Sequence, residues 1–112
     1  MTHTFGILFS LFILVITSTT GALAEKRVAL VIGNSNYEQT SSLANPANDA
    51  EAMADVLRRI GFSVTKAKDL SFDAMRRSLR DFSEVASRAD TALVFYAGHG
   101  MEVNKQNYLI PV

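Results

Sequence analysis

The chain is 112 residues long, which is enough for one small domain at most. Eleven basic and eleven acidic residues balance, which argues against a nucleic-acid-binding protein, because such proteins usually carry a basic excess on one face. The chain contains no cysteine. It therefore has no disulfide, no thiolate metal site and no cysteine nucleophile of its own.

The first 24 residues differ in composition from the rest. All Asp, Glu, Lys and Arg residues lie at or after Glu25, and residues 7–16 are almost entirely apolar. This short apolar segment, followed by the small-x-small site Ala22-Leu23-Ala24, predicts a signal peptide over residues 1–24 and a secreted or periplasmic protein without a membrane span after cleavage. The segment lacks the usual basic start, so a membrane anchor formed by residues 5–24 is the alternative.

After Glu25 the hydrophobic pattern alternates between strand and helix. Unbroken apolar runs predict buried strands, and apolar positions three and four residues apart predict helices. The expected elements are a strand at 27–32, a helix at 50–60, a strand at 62–67, a helix at 72–86, a strand at 91–97 and a hairpin of 101–103 with 108–110. Asn48 or Asp49 is expected to cap the first helix, Gly61 to end it and Ser71 to cap the second.

This order of elements predicts an α/β fold, in which a parallel sheet carries helices on both faces. If the strand order is second, first, third, loops 33–42 and 98–100 are neighbours at the carboxyl edge of the sheet. Such sheets bind ligands at this edge, near the point where the strand order reverses, so any active site is expected there. The third strand, 91–97, would be an open hydrophobic edge, which predicts self-association through it.

Loop 98–100 contains the strongest candidate for chemistry. His99 lies between two glycines, and histidine exchanges protons near neutral pH. Gly100 offers a backbone N–H that can point toward a developing oxyanion. No metal site is expected, because neither a second histidine nor a cysteine has suitable spacing and Glu102 alone is insufficient. The other loop has no phosphate-binding glycine motif, and its residues 34–36 are ordinary turn formers.

Several segments resemble a known peptidase family. The chain is similar to the amino-terminal half of caspase-like cysteine peptidases, in particular the bacterial metacaspase and orthocaspase group. The similar segments are R-V-A-L-V-I-G-N-S-N-Y (27–37), N-P-A-N-D-A (45–50), F-Y-A-G-H-G (95–100) and N-Y-L-I-P-V (107–112). The resemblance implies a three-layer caspase-like sandwich, of which residues 25–112 are the amino-terminal part with the first three strands and two helices.

The resemblance also implies a chemistry. Caspase-like peptidases hydrolyse peptide or protein substrates with a Cys-His dyad, which makes His99 the histidine and Gly100 the oxyanion donor, with no cofactor and with calcium dependence left open. The aspartate of metacaspases, which cut after Arg or Lys, matches Asp49, so Asp49 is a candidate substrate-binding residue. Its alternative role is the helix cap.

The family's cysteine would lie roughly 50 residues after His99, beyond Val112. Two interpretations therefore stay open. The chain is either an incomplete cysteine endopeptidase domain that is inactive alone, or a short secreted non-catalytic module that binds or regulates a partner through the same half-fold.

Overall fold

The structure, a computed structural model, describes residues 25–112. The predicted signal peptide, residues 1–24, lies outside them, so its cleavage stays a prediction. The elements are β1 (Arg27–Gly33), α1 (Pro46–Arg59), β2 (Ser63–Lys68), α2 (Phe72–Ala86), β3 (Thr91–Ala97), β4 (Gly100–Val103) and β5 (Gln106–Leu109). Neither helix in this range is long and apolar enough to cross a bilayer.

The three long strands form a parallel sheet in the order β2-β1-β3, the order under which loops 33–42 and 98–100 become neighbours. β1 is the central strand, and Val28 of β1 pairs with Ser63 of β2 on one side and with Ala92 of β3 on the other. Its apolar run from Val28 to Ile32 is at most 3% exposed. A continuous run of this kind is typical of a strand covered on both faces, and it places β1 at the centre.

The two helices cover opposite faces of the sheet, because successive side chains of β1 point to opposite sides. On one face Ala29 and Val31 pack against α1, and on the other Leu30 and Ile32 pack against Met75 of α2. The residues that α1 contributes to its layer are Ala50, Ala54 and Leu57. Each buried aliphatic side chain contributes about 1.5–3 kcal/mol. The expected α/β fold with helices on both faces is confirmed.

The start of α1 differs from the prediction. The helix begins at Pro46, with Asn45 in the N-cap position and no side-chain cap hydrogen bond. Proline suits the first helical position because its fixed φ is already helical and its missing N–H needs no partner there. The prediction that Asn48 or Asp49 caps this helix was wrong. Asp49 instead lies in the first turn, where its carboxylate interacts favourably with the helix dipole.

The other predicted helix boundaries are confirmed. Gly61 follows α1 at a φ of 97°, and the Ser71 hydroxyl accepts a hydrogen bond from the backbone N of Ala74 at 3.2 Å. The predicted hairpin is also present, but its turn is shorter than the expected 104–107. Only Asn104 and Lys105 connect β4 to β5, both with positive φ, as in the two-residue turns that match the twist of antiparallel strands.

Candidate active site

The loops that follow β1 and β3 meet at the carboxyl edge of the sheet, as expected for the strand order β2-β1-β3. The backbone N of Asn34 donates to the carbonyl of Ala97 at 2.8 Å, which joins the two loops directly. The segment after β2 lies at the same edge, where the N–H of Asp69 donates to the Gly33 carbonyl at 2.9 Å. This edge therefore brings together the ends of all three parallel strands.

Asn34 cross-links this edge from the inside. Its side chain is fully buried, with Oδ1 accepting from the Leu70 N–H at 2.9 Å and Nδ2 donating to the Ile110 carbonyl at 3.4 Å. Buried polar groups of this kind need partners, and the amide provides a donor and an acceptor at once. The sequence assigned position 34 only to a turn, because the distant backbone groups that it binds leave no pattern.

Asp69 holds the loop after β1 through its carboxylate. Oδ1 accepts hydrogen bonds from the backbone N of Asn36 at 3.0 Å and of Ser35 at 2.8 Å, and Oδ2 accepts from the Asn36 amide at 3.2 Å. The backbone hydrogen bonds from Asn36 and Ser35 lower the pKa of Asp69, because they stabilise the charged carboxylate. Asp69 was not among the predicted site residues.

His99 is half-buried between β3 and β4, and tyrosine hydroxyls hold its backbone on both sides. Its N–H donates to the Tyr37 hydroxyl at 2.9 Å, and its carbonyl accepts from the Tyr96 hydroxyl at 2.7 Å. Burial, and then the contact with Tyr37, raise the pKa of Tyr96, so its hydroxyl keeps its proton and acts as a donor. The imidazole lies edge-on to the Tyr37 ring, with centroids 4.6 Å apart at 62°.

The imidazole also has a defined hydrogen-bond partner. Its Nε2 lies 2.9 Å from the backbone carbonyl of Ser41, in the loop after β1. A carbonyl only accepts hydrogen bonds, so Nε2 carries a proton in this geometry. The neutral ring then presents Nδ1 as the nitrogen that can accept a proton. The serine contributes its backbone rather than its hydroxyl, and sequence reasoning did not find it.

Gly100 is the first residue of β4, opposite Leu109 of β5. Ile110 N donates to the His99 carbonyl at 3.0 Å, which makes the facing pair Gly100 and Leu109 a non-hydrogen-bonded one. In such a pair the N–H groups point away from the partner strand. The Gly100 N–H is therefore directed away from β5, and it follows the His99 side chain directly along the chain.

Asp49 is exposed in the first turn of α1 and lines a shallow apolar depression with Met53, Val56 and Phe95. Within residues 25–112, no hydrogen bond or ion pair joins Asp49 to His99. The same part of the chain contains no group of three or more His, Asp or Glu that could hold a metal ion. The described edge thus presents the imidazole of His99 beside the backbone N–H of Gly100, and the chain contains no thiol.

Comparison with known proteins assigns the chain to a family. A family model described as the caspase domain, of a peptidase family, matches residues 26–112. The chain belongs to the caspase-domain family. This confirms the resemblance seen in the motifs, and the sheet of three strands with two helices is a partial caspase-like α/β fold.

Individual relatives of this caspase-domain chain are animal proteins. Mucosa-associated lymphoid tissue lymphoma translocation protein 1 of Homo sapiens is 34% identical over 95 residues, which cover 85% of this chain and 12% of the relative. Caspase b of Danio rerio is 30% identical over 90 residues, covering 78% and 22%. Cell death protein 3 of Caenorhabditis remanei is 27% identical over 75 residues, covering 67% and 15%. The chain spans less than a quarter of the length of these relatives, and membership of the bacterial metacaspase group stays a prediction.

Proposed function

We propose that residues 25–112 supply the histidine half of the active site of a caspase-type cysteine endopeptidase. The observation that carries this proposal is the imidazole of His99 at the carboxyl edge of the sheet, with Nε2 bonded to the Ser41 carbonyl at 2.9 Å. This bond leaves Nδ1 as the proton acceptor. The neighbouring Gly100 N–H, directed away from β5, supplies the second element of acyl-transfer chemistry, a donor for the oxyanion.

The reaction needs a thiolate from polypeptide outside these 112 residues, because the chain itself contains no cysteine. The thiol gives its proton to Nδ1 of His99, and the sulfur attacks the scissile carbonyl carbon. The Gly100 N–H stabilises the negative oxygen of the tetrahedral intermediate. The imidazolium then gives the proton to the leaving amine as the C–N bond breaks, which leaves a thioester between the sulfur and the acyl part of the substrate. The same imidazole deprotonates a water molecule, whose oxygen attacks the thioester carbonyl carbon. The C–S bond then breaks, the acid product leaves, and the imidazolium returns the proton to the sulfur.

The proposed substrates are peptides with Arg or Lys before the cut. Asp49 supports this preference, because an exposed carboxylate in the first turn of α1 can bind a cationic side chain near the same edge of the sheet. The measurement is cleavage of fluorogenic peptides that end in Arg or in Asp by the active species. Asp49→Asn should reduce cleavage after Arg, while cleavage after Asp with none after Arg would contradict the preference.

The test of the peptidase function begins with protein isolated from its natural source. Its intact mass and its labelling by iodoacetamide establish whether a thiol belongs to the species that contains residues 25–112. That species should cleave peptides and should lose this activity on alkylation. The peptidase activity of the His99→Ala variant should be at least 100-fold lower than that of the wild type. Tyr108→Phe, which removes an exposed hydroxyl bonded to Gln106, is the matched control and should retain activity.

A second candidate function is a non-catalytic module that binds or regulates a partner. The lack of any cysteine in the 112 residues favours it. The recombinant 112-residue chain should be inert towards peptides under either function. Measurements on the protein isolated from its natural source distinguish the two functions, because a module without a thiol would show neither alkylation nor peptidase activity.

We also propose that the protein is exported. A signal peptide over residues 1–24 would deliver the chain to the periplasm or the exterior as a protein that starts at Glu25. Amino-terminal sequencing of the isolated protein measures this directly. A chain that still begins at Met1 and sediments with membranes would instead support an anchor formed by residues 5–24.

A further inference from the structure

The hairpin that follows His99 stops one residue pair earlier than its register allows. In an antiparallel ladder, hydrogen-bonded and non-hydrogen-bonded pairs alternate. Gly100 and Leu109 form a non-hydrogen-bonded pair, so the next pair outward, His99 with Ile110, is due to be hydrogen-bonded. The two residues of such a pair normally exchange both N–H···O bonds.

Only one of these two bonds is made directly. The Ile110 N–H donates to the His99 carbonyl at 3.0 Å, as the ladder requires. For the reciprocal bond, the His99 N–H donates to the Tyr37 hydroxyl at 2.9 Å, and that hydroxyl donates to the Ile110 carbonyl at 2.8 Å. The oxygen of Tyr37 is thus inserted into the ladder at the bond that would otherwise join His99 to β5.

The hydroxyl protons are consistent with this insertion. Each tyrosine hydroxyl carries one proton. We assign the Tyr37 proton to the Ile110 carbonyl at 2.8 Å. We assign the Tyr96 proton to the His99 carbonyl at 2.7 Å, which is closer than the Ile110 carbonyl at 3.0 Å or the Tyr37 hydroxyl at 3.1 Å. The Tyr37 oxygen keeps a lone pair for the His99 N–H. Gly98 leaves the space, because a Cβ at that position would lie 2.7 Å from the Tyr37 hydroxyl.

We propose that Tyr37 is a positioning residue, whose inserted hydroxyl holds His99 out of β4 and keeps its imidazole on the Ser41 carbonyl. The edge contact between the Tyr37 ring and the imidazole, 4.6 Å between centroids, adds a second restraint on the same side chain. A role of Tyr37 in catalysis rests on the proposed function, whereas its role in positioning the His99 side chain rests on the hydrogen bonds alone. Without the hydroxyl, the His99 N–H and the Ile110 carbonyl lose their bridge and can bond directly, which extends β4 and pulls the imidazole away from Ser41.

The test is Tyr37→Phe in the 112-residue chain, which removes one oxygen and keeps the ring. Scalar couplings across hydrogen bonds in NMR report each bond directly. In the wild type we expect a coupling from His99 Nε2 to the Ser41 carbonyl carbon, and none from the His99 backbone N to the Ile110 carbonyl carbon. In Tyr37→Phe the first coupling should be lost and the second should appear.

Two further variants act as controls. Tyr96→Phe removes the donor to the His99 carbonyl but keeps the inserted hydroxyl, so it should leave both couplings as in the wild type. Tyr108→Phe, whose hydroxyl bonds to Gln106 at 3.0 Å on the surface, should also change neither. The chain has only two histidines, which makes the imidazole signals simple to assign.

The proposal is overturned if Tyr37→Phe keeps the Ser41 coupling, or if Tyr96→Phe gains the Ile110 coupling. If Tyr37→Phe does not fold, NMR measurements on the wild-type chain test the proposal instead. A direct coupling from His99 N to the Ile110 carbonyl there overturns the insertion, and a slowly exchanging Tyr37 hydroxyl proton close to the His99 amide proton supports it. None of these measurements uses a thiol or peptidase activity, so their failure is distinguishable from failure of the proposed function.

Discussion

Gly98 lies directly against the hydroxyl of Tyr96, so closely that a Cβ atom on Gly98 would stand 2.5 Å from that oxygen. The Tyr37 hydroxyl approaches the same point to 2.7 Å. Real Cβ atoms do not approach other atoms this closely. The two hydroxyls that hold the backbone of His99 therefore reach it only because the preceding residue has no side chain.

Gly98→Ala should lower the free energy of unfolding by about 1–3 kcal/mol, because the added methyl group displaces both hydroxyls from His99. Urea denaturation measures this. Gly100→Ala is the matched control, since a Cβ there would meet only the Tyr108 carbonyl at an ordinary 3.5 Å. Equal stability of the two variants would contradict the packing described here.

His99→Ala should change the free energy of unfolding by no more than about 0.5 kcal/mol. The imidazole is half-buried, and the bonds that hold this loop come from the His99 backbone, which alanine retains. Leu57→Ala, at a core residue that is 4% exposed, should cost about 2–5 kcal/mol in the same denaturation experiment. A loss at His99 as large as that at Leu57 would show that the side chain is structural.

The chain should self-associate through β3, an edge strand of the described sheet. Leu93 and Val94 of this strand are 36% and 49% exposed, and an exposed apolar edge can pair with a second strand. Val94→Lys should shift the population toward monomer, because charge on an edge strand opposes pairing. Sedimentation velocity across a concentration series measures the shift.

Ile60→Lys is the control for that experiment. Ile60 is 54% exposed at the end of α1, where the chain leads into β2 on the opposite side of β1 from β3, so the variant adds the same charge and removes a similar apolar group. It should associate as the wild type does. A wild-type chain that is monomeric at all concentrations would contradict the prediction.

Stability should fall on acidification through the protonation of Asp69. The pKa of Asp69 is lowered in the folded state by the hydrogen bonds from Asn36 and Ser35, so its contribution is present above the ordinary aspartate pKa, about 3.9. It is lost as the pH falls from there through the lower folded pKa. Asp69→Asn should weaken this acid dependence and cost about 1 kcal/mol at neutral pH.

Asparagine suits this comparison because Asp69 has a φ of 52°, a conformation that asparagine adopts readily. The change therefore tests the charge and the hydrogen bonds rather than the backbone. Thermal denaturation between about pH 1.5 and 7 gives the measurement, because the loss occurs below the ordinary aspartate pKa. An unchanged acid dependence in Asp69→Asn would show that other groups control it.

Much of the fold was predictable because its signals are local. The buried run of β1, the apolar spacing of α2 and the cap at Ser71 are each a pattern within one short segment of the sequence. The error at α1 arose because Asn45, Asn48 and Asp49 are all good capping residues. Only Pro46, which suits the first helical position, distinguishes Asn45 as the N-cap residue. The strand order entered the sequence analysis only as a condition, because no motif in the chain specifies it, and the structure supplied it.

By itself, the sequence determined a parallel α/β sheet, the loop that contains His99 and Gly100, and the absence of a thiol, because each is a property of neighbouring residues or of composition. Only the tertiary structure decided how His99 is held. Its partners Tyr37 and Ser41 lie 62 and 58 residues away along the chain, and Ser41 contributes a carbonyl that every residue possesses. Hydrogen bonds between distant groups of this kind have no periodicity and no characteristic residue type in the sequence. They can therefore be identified only from the tertiary structure, which brings the loops after the strands together.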